Sequence, residues 1–211
     1  RTAWVEPSVT IGRFQPWTLV EHGGEWRAPV RRITGGGAIF HGDDLTLALV
    51  APCPSPLFPS RAPRAIAERM AGAIAEALTA YFPGIRSRDG ACEERSQRTI
   101  LDCFERHTPT DLVVDTESGA TEELRKIAGI ALHRRRDRIL IQASIARSDA
   151  LPTQRDREVL SAIAHALGAL PETLGDLSEF EEEQSWRLAE RRYGSALWNH
   201  RIRSGETATP R

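Results

Sequence analysis

The sequence lacks a surplus of either charge: 28 lysines and arginines against 29 aspartates and glutamates leave a formal net charge of -1. So balanced a chain carries no electrostatic sign of a nucleic-acid or membrane-surface partner. It also lacks any run of about 18 apolar residues, the length a membrane helix needs, and no signal peptide opens it. A cytoplasmic location is expected. The chain begins at Arg1 and runs almost at once into a strand-like segment, so an N-terminal segment is expected to be missing. Cysteine is scarce. Cys53, Cys92 and Cys103 are odd in number and show no CxxC spacing, which favours neither a disulfide framework nor a zinc site.

What is present reads as globular. With 40% hydrophobic and 27% charged residues, the chain can bury a core, and 211 residues suit one domain or a main domain with an appendage. The organising stretch is Arg31 to Pro52, RRITGGGAIFHGDDLTLALVAP. Here two arginines lead into Gly35, Gly36 and Gly37, which run into a short apolar strand closed by His41. Without a Cβ, such residues take positive φ and let backbone approach a ligand. Their successive N–H groups can form a concavity for an oxyanion or carbonyl oxygen, with charge from Arg31 or Arg32. A plain glycine-rich hairpin turn accounts for the same residues about equally well.

Along the chain, Val9 to Trp17 alternates apolar and polar residues and predicts a strand with a bulge at Gly12. His22-Gly23-Gly24 marks a turn, and Val30 to Ile33 begins the next extended piece. Leu45 to Val50 is apolar at nearly every position, as in a strand buried on both faces. Four prolines between Pro52 and Pro59 then make a rigid connector, with Cys53 incidental within it. From Pro63 the period changes: Ile66, Met70, Ile74, Ala77, Leu78 and Tyr81 share a stripe, predicting a helix to about Phe82, where Pro83-Gly84 ends it.

Thr99 to Phe104 and Asp111 to Asp115 read as short extended pieces about a polar turn with Pro109, followed by a loop from Thr116 to Glu123. Arg125 to Leu132 and Arg138 to Ala146 predict a β-hairpin with a basic turn at 134–137. Lys126 enters its first strand. Strand lysines mostly lie on solvated faces, the alternative being a cleft. Cys103 reads first as a small buried hydrophobe; beside the Lys126 ammonium it would be a thiolate nucleophile. Farther on, Thr153 predicts a helix cap, with Asp156 completing a weak box and Gly168 ending the helix after Leu167. Ser178 and Glu181 predict a second capping box, with acids early and Arg191 and Arg192 late in the helix. Trp186, Leu188, Ala189, Tyr193 and Trp198 are docking or core candidates.

The order of ArgArg-x-Thr-GlyGlyGly, His41, Leu45-Thr46, Cys103-Phe104, Asp111-Leu112-Val113-Val114 and Arg125-Lys126-Ile127-Ala128-Gly129 resembles the lipoate–protein ligase and octanoyltransferase superfamily. The resemblance runs from about Trp4 to Ala146, and the ending Arg192-Tyr193-Gly194-Ser195-Ala196-Leu197-Trp198-Asn199 is similar to the family's C-terminal helices. It implies an α+β fold like that of biotin ligases and class II synthetases, a mixed β-sheet flanked by helices with a helical C-terminal end. The expected organisation is a catalytic core over 1–150, C-terminal helices packed on it over 151–203 and a flexible tail over 204–211.

Two mechanisms follow from that resemblance. In the transferase branch an octanoyl group passes from acyl carrier protein to a cysteine and then to a lysine of a lipoyl domain, that of a 2-oxoacid dehydrogenase E2 or the glycine cleavage H protein. No cofactor is needed. The ligase branch activates lipoate with ATP and Mg as the acyl-adenylate, using the lysine that matches Lys126. Asp44-Leu45-Thr46, similar to the transferases' Glu-Leu-Thr, and Cys103-Phe104 favour the cysteine-dependent octanoyltransferase branch. The implied catalytic residues are Cys103 and Lys126, and the implied substrate-binding residues are Arg32, Gly35, Gly36, Gly37, His41 and Gly129. No metal site is implied for the transferase. The chain departs from the family at Ile130-Ala131-Leu132, where Ser-Ala-Gln is usual, and at Gln142-Ala143-Ser144, where His-Gly-Ser is usual. A non-catalytic lipoyl-domain-binding or acyl-binding relative is the third reading.

Overall fold

The computed structural model describes residues 4, 6–17, 29–88, 108–116, 123–169 and 177–200. Two sheets form its frame. The first has three strands in the order β2-β1-β3, from β1 (Ser8–Ile11), β2 (Val30–Arg31) and β3 (Ile39–His41). It is mixed, since β1 pairs parallel with β2 and antiparallel with β3. The second has five strands in the order β4-β8-β7-β6-β5. These are β4 (Leu45–Pro52), β5 (Arg86–Ser87), β6 (Leu112–Thr116), β7 (Glu123–Arg135) and β8 (Arg138–Ile145), antiparallel throughout.

The main core lies between the larger sheet and two helices. Helix α1 (Pro63–Leu78) buries Ile66, Met70, Ile74 and Leu78 on one stripe. Helix α2 (Asp156–Ala166), entered by a 3-10 turn over Thr153–Arg155, buries Val159 and Ile163. Their partners on the sheet include Leu45, Leu47, Leu112, Ile127, Ile139, Ile141 and Ile145. Each fully buried aliphatic side chain contributes about 1.5–3 kcal/mol, so this layer holds the sheet that carries the site.

The periodic segments form where their spacing predicts, with α1 ending at Leu78 rather than about Phe82 and β7 running on through Arg135 into the expected turn at 134–137, while the irregular ones differ for tertiary reasons. The hairpin β7–β8 turns at Arg136 and Asp137, with Arg136 at φ 56°. β4 is an edge strand rather than a strand buried on both faces: Leu45, Leu47 and Ala51 point inward, whereas Val50 is 66% exposed. β1 stops at Ile11 instead of continuing through a bulge to Trp17, because the Gln15 side chain accepts the Gly12 N–H at 2.9 Å and turns the chain. The expected box of Thr153 and Asp156 does not form, and neither the 3-10 turn nor α2 has a side-chain cap bond. Asp156 is instead buried against Arg147, which approaches it in a fork at 2.9 Å. Gly168 ends the helix at φ 80° as predicted.

Helix α3 (Glu179–Leu188) starts with the predicted capping box, Ser178 and Glu181 bonding each other's backbone. It has no buried residue, and Trp186 is 70% exposed. A π-helical turn (Ala189–Tyr193) leads to α4 (Ala196–Asn199), where Trp198 and Asn199 bond to Arg31 of β2. The predicted turn at His22 and the strand from Thr99 to Phe104 lie outside the described residues, as do 117–122 of the predicted loop. Among the described residues, no helix is long and apolar enough to cross a membrane.

Candidate functional site

The glycine loop lies where the two sheets meet, and its shape follows from its neighbours. A Cβ on Gly12 would stand 1.9 Å from the carbonyl oxygen of Gly36, so only glycine at the end of β1 lets the loop close over it. Gly36 itself has φ 94°, a region that disfavours any side chain. Arg32 curls the loop by donating to the carbonyls of Gly35 at 3.0 Å and Gly37 at 2.7 Å. The Thr34 hydroxyl fastens it to β8 by donating to Gln142 at 2.6 Å.

The two arginines part company. Arg32 reaches the cavity side, whereas Arg31 is fully buried and donates to the carbonyls of Gly12, Arg13, Gln15 and Asn199. Arg31 therefore holds the fold together, and the charge that either arginine was expected to supply falls to Arg32.

Opposite the loop stands an ion pair. Lys126 on β7 places its Nζ 2.8 Å from Asp111 Oδ2, with side-chain exposures of 2% and 3%. The polar turn before β6 aims that carboxylate, because the Thr108 N–H donates to Asp111 at 2.6 Å. Charges so far from water persist only when paired. Lys126 thus takes the cleft alternative rather than the solvated face commoner for strand lysines.

A second polar group surrounds His41. Its Nδ1 lies 2.9 Å from Asp44 Oδ2, its Nε2 2.7 Å from Thr10 Oγ1, and Trp4 stacks on the ring at 4.0 Å. Asp44 Oδ2 also accepts from Ser144 at 2.6 Å and Thr46 at 2.9 Å. Burial pushes this carboxyl up, but the hydrogen bonds from His41, Ser144 and Thr46 outweigh it. Asp44 is held below the ordinary carboxylate range.

The ion pair, Arg32 with the loop glycines, and His41 with its neighbours Trp4, Thr10, Thr46 and Ser144 line one cavity of about 420 Å³, with Asp44 behind the wall. Arg32, Gly35, Gly36, Gly37, His41, Lys126 and Gly129, all selected from the sequence, are on its wall. Cys103 and Cys92 lie outside the described residues, while Cys53 is buried away from the cavity. Ile39, Ile130, Ala131 and Leu132 supply the apolar wall, so the departure from Ser-Ala-Gln makes the cavity greasier. Sequence reading missed Trp4, Thr10 and Ser144 on the wall, and the roles of Asp111 and Asp44 as partners of Lys126 and His41. Both aspartates belong to the motifs Asp44-Leu45-Thr46 and Asp111-Leu112-Val113-Val114, but only proximity in space reveals what they bond.

Arranged in this way, the cavity joins an apolar wall to a polar end that holds the cationic side chains of Arg32 and Lys126. Residues 2–164 match the family described as lipoyl protein ligase A/B catalytic domain. No curated protein matches the chain. Among solved structures, a T. acidophilum protein assigned as a lipoate protein ligase, with bound lipoic acid, is 19% identical; the match covers 93% of this chain and 83% of that one, at TM-score 0.66. A lipoate-protein ligase A bound with ATP is also 19% identical, with coverages of 92% and 82% and TM-score 0.66. A bi-partite lipoate protein ligase from Thermoplasma acidophilum, studied with its E2 lipoyl domain, is 18% identical, with coverages of 96% and 84% and TM-score 0.61. At such identities the likeness establishes a shared α+β fold.

Proposed function

Since the chain belongs to the lipoyl protein ligase A/B catalytic domain family, a family of acyl-transferring enzymes, we propose that it moves an octanoyl or lipoyl group onto a lysine of a lipoyl domain. The observation that carries this reading is the buried Lys126–Asp111 pair facing the glycine loop across a largely apolar cavity. Ile39, Ile130, Ala131 and Leu132 would bind the acyl chain, at about 0.8 kcal/mol per CH₂ buried. Lys126 and the N–H groups of Gly35 to Gly37 would hold the acyl carbonyl oxygen and the oxyanion formed from it.

For the route we propose transfer from acyl carrier protein through Cys103. The thiolate attacks the carrier thioester, the carrier thiol leaves, and the lipoyl-domain lysine then displaces the Cys103 sulfur. In support, both described cations at the cavity already have acceptors: Arg32 bonds carbonyl and hydroxyl oxygens, and Lys126 bonds Asp111. Such a site suits a neutral thioester better than a polyphosphate. The ATP- and Mg-dependent ligase route uses the same Lys126 without Cys103.

One assay separates the routes. Octanoyl carrier protein and an apo lipoyl domain are incubated with the protein, with and without ATP, alongside Cys103→Ser and Lys126→Ala. The expected result is octanoylated lipoyl domain without ATP, lost in Cys103→Ser, with intact mass showing an octanoyl adduct on Cys103. Strict ATP dependence with an active serine variant establishes the ligase instead. A lipoyl-domain complex without either product establishes a binding protein.

A further inference from the structure

The groups around His41 form a directed chain of hydrogen bonds that holding a loop does not require. Arg32 Nη1 donates to Thr10 Oγ1 at 2.8 Å. Ionised Asp44 only accepts, so the proton between it and His41 sits on Nδ1. In the neutral imidazole Nε2 is then bare, and the Thr10 hydroxyl donates to it across 2.7 Å. Thr10 Oγ1 has two lone pairs. Arg32 occupies one, which leaves the other for a donor entering the cavity that Thr10 and His41 both line.

From this arrangement we infer that Thr10, His41 and Asp44 form a proton relay serving the amine that attacks the acyl group. The inference rests on the acyl-transfer reading above and adds the acceptor side of that reaction. The incoming lysine ammonium first loses one proton to solvent. As its nitrogen bonds to the acyl carbon, that nitrogen becomes positive and passes a second proton to Thr10 Oγ1, while the Thr10 hydroxyl proton moves to His41 Nε2. The bond from the acyl carbon to its leaving group then breaks, and its electron pair departs with that group. The imidazolium returns its proton to the leaving group or to water.

Asp44 supplies the counter-charge an imidazolium at 41 needs. Its Oδ1 is buried with no hydrogen-bond partner among the described residues, so its charge is not fully spent elsewhere. The other charged groups nearby are accounted for. Arg32 acts through Thr10, Asp43 points outward with Arg147 at 3.8 Å, and Lys126 and Asp111 pair with each other. Trp4, Thr46 and Ser144 complete the surroundings without titrating near neutrality.

The test compares two acceptors, an apo lipoyl domain and hydroxylamine, whose nitrogen in the addition intermediate is far more acidic than that of an alkylamine and therefore passes its second proton to water with little help. The octanoyl donor is carrier protein, or octanoate with ATP, whichever supports turnover. Thr10→Val should slow transfer to the lipoyl domain roughly 100-fold, within the range of general base catalysis, but slow hydroxylamine far less. Thr10→Ser, which keeps the hydroxyl, should restore the lipoyl-domain rate. Asp44→Asn should shift the pH–rate profile of the lysine reaction and leave that of hydroxylamine in place. Equal losses with both acceptors, or no loss with lysine, overturn the relay. A wild-type protein inactive toward both acceptors overturns the acyl-transfer reading itself.

Discussion

Lys126 and Asp111 make the electrostatic choice of the site. Two opposite charges with side-chain exposures of 2% and 3% gain little net stability from pairing, because desolvation offsets most of their attraction. Removing one partner is another matter, since it strands the other charge in the interior. Lys126→Met and Asp111→Leu should each lower the unfolding free energy by about 3–5 kcal/mol. The double variant should recover most of that loss and still transfer no acyl group, a pattern that denaturant unfolding beside the octanoylation assay reads directly. If the double variant is as unstable as either single one, the pair is not the electrostatic unit described here. The lysine was visible in the sequence as part of a motif, but its partner was not. Asp111 is 15 positions away, and only the register that sets Val113 against Lys126 brings the polar turn alongside.

At the scale of elements, the glycine loop and the end of β1 are made for each other. Gly12 looked like a bulge within a longer strand, yet its role is to admit the Gly36 carbonyl. Gly12→Ala should therefore push the loop off β1, costing about 1–3 kcal/mol as an overpacked site does and weakening acyl-donor binding. Gly35→Ala is the control, since a Cβ there meets nothing within 4 Å. It should match or exceed the parent in stability, having fewer unfolded conformations to lose. Thermal unfolding of the two variants checks this, and equal losses would mean the loop is not seated on Gly12. Periodic elements are legible because their signal is local: the α1 stripe and the β7–β8 hairpin repeat every few residues. Which face is covered carries no such signal. The apolar run of β4 is the same whether one face or two are covered, and because α1 and α2 pack on the side of Leu45, Leu47 and Ala51, Val50 on the other side is solvent-facing.

Across the whole molecule, the C-terminal end returns to the beginning through Arg31. Its backbone N–H donates to Asn199 Oδ1 at 2.9 Å, its guanidinium to the Asn199 carbonyl at 2.7 Å, and the Trp198 indole donates to the Arg31 carbonyl at 2.7 Å. Asn199 in turn donates to the Tyr193 carbonyl at 2.7 Å, closing the π-helical turn onto α4. The family match ends at residue 164, so these contacts attach a segment beyond it to the strand that leads into the glycine loop. Asn199→Ala would remove the Oδ1 that accepts the buried Arg31 N–H, at about 1–3 kcal/mol. For a chain of this size that lowers Tm by roughly 2–12 °C. Because α3 has no buried residue of its own, the same substitution should speed protease cleavage within 177–200 well before the larger sheet opens. Unchanged melting and cleavage would show that α4 is held by other contacts. A lower Tm together with weaker acyl-donor binding would show that the C-terminal helix reaches the cavity through Arg31 and its neighbour Arg32.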